Sequence, residues 1–324
     1  MECEESVIGS YIEEGRQRLL ERNIQKIRGT ETGTVVRKNR EYIDSILLEM
    51  RMIDSVQNPD TTMCFLGQKF DTPVMSAALS GLDNICKNGM AALAQGIAEA
   101  NACMWVGIGQ QRELHDIRKA GAPTVKIIKP YKDHDLIFEK MKQAEQEGCF
   151  AVGMDISFFY GSQVGEKLTA DKIVSPKTAG ELRSFVEASN LPFIFKGILS
   201  ERDADKALDI GAAALVVSSH SGSVMDYAVP PMMILPEIAR LTEGKIPLLI
   251  DGDIKRGSDV YKALALGADA VLVGRALMAG LEMDGSAGVT KVVNGITEEL
   301  RRIMGQTGCS CIHDIDPSVL WINK

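Results

Sequence analysis

Pro247-Leu248-Leu249-Ile250-Asp251-Gly252-Asp253-Ile254-Lys255-Arg256-Gly257 is a short apolar run that ends on acidic residues and glycine. The same texture returns at Ala270-Val271-Leu272-Val273-Gly274-Arg275, after a helical stretch from Gly257 to Leu266. A continuous apolar run closed by Asp or Gly reads as a strand buried on both faces. Strand, helix and strand in succession are the unit of a parallel sheet. Working outward, further runs occur at Val74 to Leu79, Cys103 to Gly107, Thr124 to Ile128, Phe150 to Ile156, Pro192 to Lys196 and Ala214 to Ser218. With Pro247 to Asp251 and Ala270 to Gly274 they make eight, the strand number of a (β/α)8 barrel. Helical stretches separate them: Gly89 to Ala100, Arg112 to Lys119, Asp135 to Glu147, Pro176 to Ala188, Glu201 to Ile210 and Met232 to Thr242. An open doubly wound sheet should carry a Gly-x-Gly-x-x-Gly turn after its first strand, and none follows Leu79. The expectation is an α/β fold, a (β/α)8 TIM barrel. Residues 1–70 read as an N-terminal helical extension, with amphipathic helices over Tyr11 to Ile27 and Asn39 to Met52. Residues 71–324 read as barrel and C-terminal helices, giving one domain over 1–324.

The chain has 324 residues and a formal net charge of -8, from 36 Lys+Arg against 44 Asp+Glu. A surface of that sign repels phosphate backbones, so nucleic acid and anionic membranes are not expected partners, and a small-molecule substrate is. Aromatics at 5% argue against a stacking platform for single strands. Seven cysteines, an odd number without a basic and apolar leader before them, read as reduced thiols and a cytoplasmic location.

In a barrel, catalytic groups gather at the C-terminal strand ends. These are Ala78-Leu79-Ser80, Gly107, Lys126, Asp155, Lys196, Ser218 to His220, Asp251 to Asp253 and Gly274-Arg275. Lys196 closes an apolar strand, so either an anionic group meets its ammonium or the side chain snorkels out. His220, in a loop of small residues, sits where a histidine can move a proton near neutral pH, against the plainer reading of a structural imidazole. The loops at Asp251 to Gly257 and Gly274-Arg275 follow strands 7 and 8, where barrels bind phosphate through backbone N–H groups and a helix N-terminus. Ser157 to Gly165 is a long connection with aromatics and glycines, read as a lid over the mouth rather than a plain insertion. No Glu-x-x-His or Cys-x-x-Cys spacing offers a metal site, and Cys309-Ser310-Cys311-Ile312-His313 reads as the start of a packed C-terminal helix.

Pro192 to Ile198, Val217-Ser218-Ser219-His220, Asp251 to Val260 and Leu264 to Arg275 together resemble the FMN-dependent α-hydroxy acid oxidase and dehydrogenase family, which includes glycolate and lactate oxidases. Weaker similarity extends through Leu66 to Phe70 and Pro73 to Met75, back to Asn39-Arg40. The resemblance implies FMN as cofactor and a homo-oligomer, tetramer or octamer. It implies that Lys196 faces the flavin pyrimidine ring, Ser218 touches the flavin, His220 is the catalytic base and Asp251 orients that histidine. Gly252, Asp253, Lys255, Gly274 and Arg275 would hold phosphate and ribityl chain, with Ala78, Leu79, Ser80 and Gly107 along the ring system. Lys126 stands where a flavin-contacting glutamine is usual and Asp155 where a threonine is usual. Because they end neighbouring strands, they are expected to pair.

The departures concern substrate. Ser223 stands in place of the arginine that clamps the substrate carboxylate. No second arginine lies between Ser157 and Gly165. No tyrosine lies near Lys26 to Gly29, and the strand-3 tyrosine is replaced near Ile128. The reading is an FMN-dependent oxidoreductase in which hydride passes to or from flavin N5, with His220 as acid or base, on a substrate other than a simple 2-hydroxy acid. Alternatives are a flavin-dependent isomerase similar to type 2 isopentenyl diphosphate isomerase, or a flavin-binding protein without turnover.

Overall fold

A computed structural model describes residues 6–24, 30–157, 163–164, 167–168 and 173–322. Eight parallel strands form the sheet: β1 (Val74–Ser76), β2 (Met104–Val106), β3 (Thr124–Ile128), β4 (Ala151–Asp155), β5 (Phe193–Ile198), β6 (Ala214–Val217), β7 (Leu248–Asp251) and β8 (Ala270–Val273). Each pairs with the next in chain order from β2 to β8, and β8 pairs with β1. The remaining seam, between β1 and β2, is bridged at Leu79 and Val106, where the Gly107 N–H donates to the Leu79 carbonyl at 2.8 Å. This is the expected (β/α)8 barrel, and each strand follows one of the eight apolar runs. Those runs lack alternation because one face fills the barrel and the other meets helices.

The helices are α1 (Val7–Glu21), α2 (Thr34–Ser45), α3 (Gly89–Glu99), α4 (Gln111–Lys119), α5 (His134–Gln146), α6 (Ala179–Glu187), α7 (Glu201–Ile210), α8 (Pro231–Thr242), α9 (Gly257–Ala265) and α10 (Arg275–Gln306). Helix α10 breaks at Asp284 and Gly285, and Tyr11 on α1 donates to the Asp284 carboxylate at that break, 2.6 Å away. Among the described residues no helix is long and apolar enough to cross a membrane.

Three expected boundaries shift. Helix α1 runs Val7–Glu21, starting before Tyr11 and capped at Arg22 instead of reaching Ile27. Helix α2 stops at Ser45 instead of reaching Met52, because Leu47–Leu48 pairs antiparallel with Leu320–Trp321. The apolar spacing fits helix and strand alike, and the distant partner decides. Cys309 begins no helix: it is buried beside Tyr261 and Thr307, and a single turn at Ile312–Asp314 follows. Among the described residues no group of His, Cys, Asp and Glu is arranged to hold a metal. Of the expected lid, residues 158–162 and 165 lie outside the described residues, as does the whole stretch from Lys26 to Gly29.

Candidate active site

Side chains alternate between the two faces of a strand, so parity decides what reaches the mouth. On β5, Lys196 stands level with Asp155 on β4. On β3, Ile128 pairs with Met154, which puts Lys129, one residue on, level with Asp155. Lys129, Asp155 and Lys196 thus form one layer. All three are buried.

Asp155 is the hub of that layer. Its Oδ2 lies 2.8 Å from His220 Nδ1 and 3.0 Å from Lys129 Nζ, and its Oδ1 accepts from Ser157 Oγ at 2.7 Å. Burial alone would push this carboxyl up, but Lys196, His220 and Lys129 outweigh it and hold the group well below the usual carboxylate range. Across the mouth, Lys196 Nζ lies 2.9 Å from Asp251 Oδ2 and donates to Ser218 Oγ at 2.7 Å. Burial lowers this lysine's affinity for its proton; Asp251 and Asp155 overcome that, so its pKa is raised and it stays charged. The demand that an anion meet Lys196 is thereby met.

Two expected pairings are corrected. Asp251 binds Lys196, and it is Asp155 that holds His220. Lys126 does not meet Asp155: it lies three positions before Lys129, on the opposite face of β3, and its ammonium donates to the Gly107 carbonyl. Burial, with Lys140 nearby, pushes Lys126 down to about 8. The cation that pairs with Asp155 is Lys129, the residue after Ile128. Strand parity was the signal that distinguishes the two lysines.

The loop after β6 carries His220 in a strained form. His220 and Ser221 both adopt left-handed backbone, with φ of 50° and 55°. Such residues persist only when their surroundings impose them. Here Ser218 Oγ accepts the His220 N–H at 3.1 Å and Ser223 Oγ donates to the His220 carbonyl at 2.7 Å. Further along, the Asp226 carboxylate accepts from the N–H groups of Thr32 and Val35 at 2.7 and 2.8 Å, stitching the loop to the start of α2. Ser223, standing where the clamping arginine is expected, is therefore used to close the turn.

Next to this cluster lies a cavity of about 330 Å³ lined by Leu79, Asp251, Gly252, Asp253, Lys255, Gly274 and Arg275, and also by Ala77, Ser221 and three α1 residues, Ile12, Glu13 and Arg16. Ser80 instead lines a separate cleft over β1 and β2, whereas Gly107 packs so tightly on the Ala78 carbonyl that a Cβ would approach it to 2.8 Å. Gly252 adopts φ of 120°, a turn that a side chain would strain. Helix α2 braces the turn, with Asn39 Nδ2 donating to the Gly252 carbonyl at 2.9 Å and Arg40 Nη1 to the Asp253 carbonyl at 3.2 Å. The contribution of α1 carries no local signal in the sequence, because it depends on how the extension folds back over the mouth; on α2, Asn39-Arg40 already belongs to the resemblance.

The residues fit FMN by two observations. Asp251 Oδ1 is buried on the cavity wall with no hydrogen-bond partner among the described residues, so a donor from a ligand is wanted there. At Gly274 a Cβ would come within 3.4 Å of Ala77 and 3.6 Å of Leu79, so the glycine keeps the cavity open where α10 starts.

Comparison with known proteins agrees with this geometry. A family described as FMN-dependent dehydrogenase matches residues 17–164 and 160–322. The L-lactate oxidase of Lactobacillus jensenii is 30% identical over 317 residues, 89% of this chain and 78% of that protein. The glycolate oxidase of Spinacia oleracea is 27% identical over 326 residues, 90% of this chain and 88% of that one. A crystal structure of mandelate oxidase with (S)-4-hydroxymandelic acid superposes with a TM-score of 0.89 at 25% identity, covering 97% of this chain and 98% of that one. The chain belongs to the FMN-dependent dehydrogenase family, and it is an oxidoreductase with FMN as its cofactor.

Proposed function

We propose that the chain oxidises a CH–OH group, or reduces the matching carbonyl, with His220 moving the proton and a substrate other than a simple 2-hydroxy acid. The observation that carries this reading is the His220–Asp155 contact at 2.8 Å, set beside the Lys196–Asp251 pair and the cavity. Bound FMN supplies the hydride acceptor or donor, and the protein supplies position and charge.

With Nδ1 turned to Asp155, the Nε2 of His220 is the atom available to a substrate hydroxyl. The ionised Asp155 fixes the ring and stabilises the imidazolium once the proton has arrived. Lys196 offers a permanent positive charge where negative charge develops on the reacting system. Gly252, Lys255, Gly274 and Arg275 would hold phosphate and ribityl chain, and Ala77 and Leu79 would lie against the rings.

Relatives of the chain are named for lactate, glycolate and mandelate. The clamp implied for such acids is missing here, because Ser223 closes the His220 turn and Lys129 already pairs with Asp155. Losing a desolvated bidentate contact costs on the order of 2–5 kcal/mol, or roughly 30- to 5,000-fold. Glycolate and L-lactate should therefore bleach the bound flavin slowly in an oxygen-free screen of hydroxy acids, alcohols and NAD(P)H. His220→Gln should abolish bleaching by the best reductant yet leave chemical reduction by dithionite untouched. Family-typical rates with L-lactate, or full substrate-driven bleaching in the His220 variant, would sink the proposal.

A further inference from the structure

Asp253 is out of keeping with a phosphate loop. It lines the cavity at the end where Lys255, Arg275 and Arg16 gather, and it adds a carboxylate to a site meant for an anion. Its Oδ1 lies 2.8 Å from Arg275 Nη2, the side chain best suited to grip a phosphate with a fork. Arg16 is likewise engaged, by Glu13 at 2.6 Å. Asp253 also sits in left-handed backbone, with φ of 59°, where glycine would be at ease.

The side chain is aimed at Arg275 by a backbone that is tied down. The carbonyls of Gly252 and Asp253 are held by Asn39 and Arg40, and Arg40 is itself anchored on Asp259, Nη2 to Oδ1 at 2.9 Å. A phosphate on Arg275 would have to share the guanidinium with the carboxylate, and two anions at bonding distance in a partly buried site repel strongly. Arg40 offers Asp253 a second partner without moving the backbone. Arg40 Nη1 already lies 3.8 Å from its Oδ2.

We propose that Asp253 is a built-in stand-in for the cofactor's phosphate on Arg275, released to Arg40 when FMN binds, so that the phosphate adds little to the affinity for FMN. This rests on placing the phosphate at the loops after β7 and β8. Riboflavin, which has no phosphate, leaves the Asp253–Arg275 pair intact and feels none of the exchange.

The test is a fluorescence titration of the flavin-stripped full chain with FMN and with riboflavin, for the parent and for Asp253→Gly and Asp253→Asn. Asparagine tolerates left-handed backbone and keeps the shape, which guards against misfolding of a single variant. In the parent, FMN should bind less than about a hundredfold tighter than riboflavin, well short of what a fully engaged charge-assisted fork would add. Both variants should tighten FMN by at least about fivefold and leave riboflavin where it was, as expected when a like charge is removed from a shared donor. A parent preference above that bound, smaller tightening, or FMN and riboflavin shifting together would overturn the proposal, the last result marking Asp253 as an acceptor for ribityl hydroxyls. Arg275→Met made on the Asp253→Gly background, where no carboxylate competes for the guanidinium, separates the two levels. If FMN affinity is indifferent to that change, the phosphate placement itself is wrong; if it falls while the Asp253 variants do nothing, only the stand-in is.

Discussion

Lys126 shows what one buried ammonium costs. Its folded pKa, about 8, lies below the ordinary lysine value of 10.5, so between those values the native chain holds fewer protons than the unfolded one. Stability therefore rises with pH across that window, by roughly 3–4 kcal/mol at about 1.36 kcal/mol per unit. Lys129 and Lys262 are shifted the same way, so the effect is read as a difference between two proteins. Urea melts from pH 7 to 10 should show the parent gaining on Lys126→Met as pH rises, with the variant more stable at pH 7. A constant gap between the two would mean that the Gly107 carbonyl compensates the charge at every pH. The sequence places both lysines near the end of β3, and alternation separates them. Which of the two meets Asp155 depends on the register between β3 and β4, because a slip of one residue would exchange the faces.

At the scale of elements, the loop after β7 is held by how closely α9 approaches α10. At Gly257 an added Cβ would lie 2.2 Å from the Leu300 nitrogen and 2.4 Å from Glu299 Cβ. The Gly257 N–H also donates to Glu299 Oε2 at 2.9 Å. Gly257→Ala should therefore destabilise the chain by about 2–3 kcal/mol, the range for overpacking a rigid contact. Gly180, near the start of α6, has nothing within 4 Å of such a Cβ. Gly180→Ala should be neutral or stabilising by up to about 1 kcal/mol through helix propensity. Denaturant midpoints for the pair check the argument, and equal shifts would refute it. Both glycines are plain in the sequence, but nothing local distinguishes the one that touches a neighbour.

For the molecule as a whole, the N-terminal extension is part of the site. Helix α1 lies against α10 with Gly15 at the crossing, where a Cβ would come within 2.4 Å of the Ala279 carbonyl oxygen. Arg22 pairs with Glu282, and the Lys291 ammonium sits 3.7 Å over the Tyr11 ring, so the helix is fixed along its length. Through Ile12, Glu13 and Arg16 it closes one side of the cavity. Gly15→Val should lift α1 from α10, leave the barrel's far-UV circular dichroism and main unfolding transition in place, and weaken FMN retention by about tenfold or more, equivalent to about 1.4 kcal/mol of lost contact. Retention of flavin through desalting, matched to the parent, would show that α1 is only a cover.

The sequence by itself determined the barrel and its order. Eight apolar runs closed by Gly, Asp or Ser have few other ways to bury both faces, and the strand ends then name Lys196, His220, Asp251 and the two loops beside Gly252 and Gly274. Those features are local, since hydrophobic period and turn chemistry act over a few residues. Only the tertiary structure decided the partnerships: Asp155 with His220 and Lys129, Asp251 with Lys196, Asp253 with Arg275. The same holds for the bracing by Asn39 and Arg40 and for the end of α2 at the Leu47–Leu48 pairing. Each of these joins residues far apart in the chain, and its outcome turns on register, on strand face and on distances of a few ångströms between charges. Composition and spacing do not encode those quantities; the closed sheet sets them when it fixes every strand end at once.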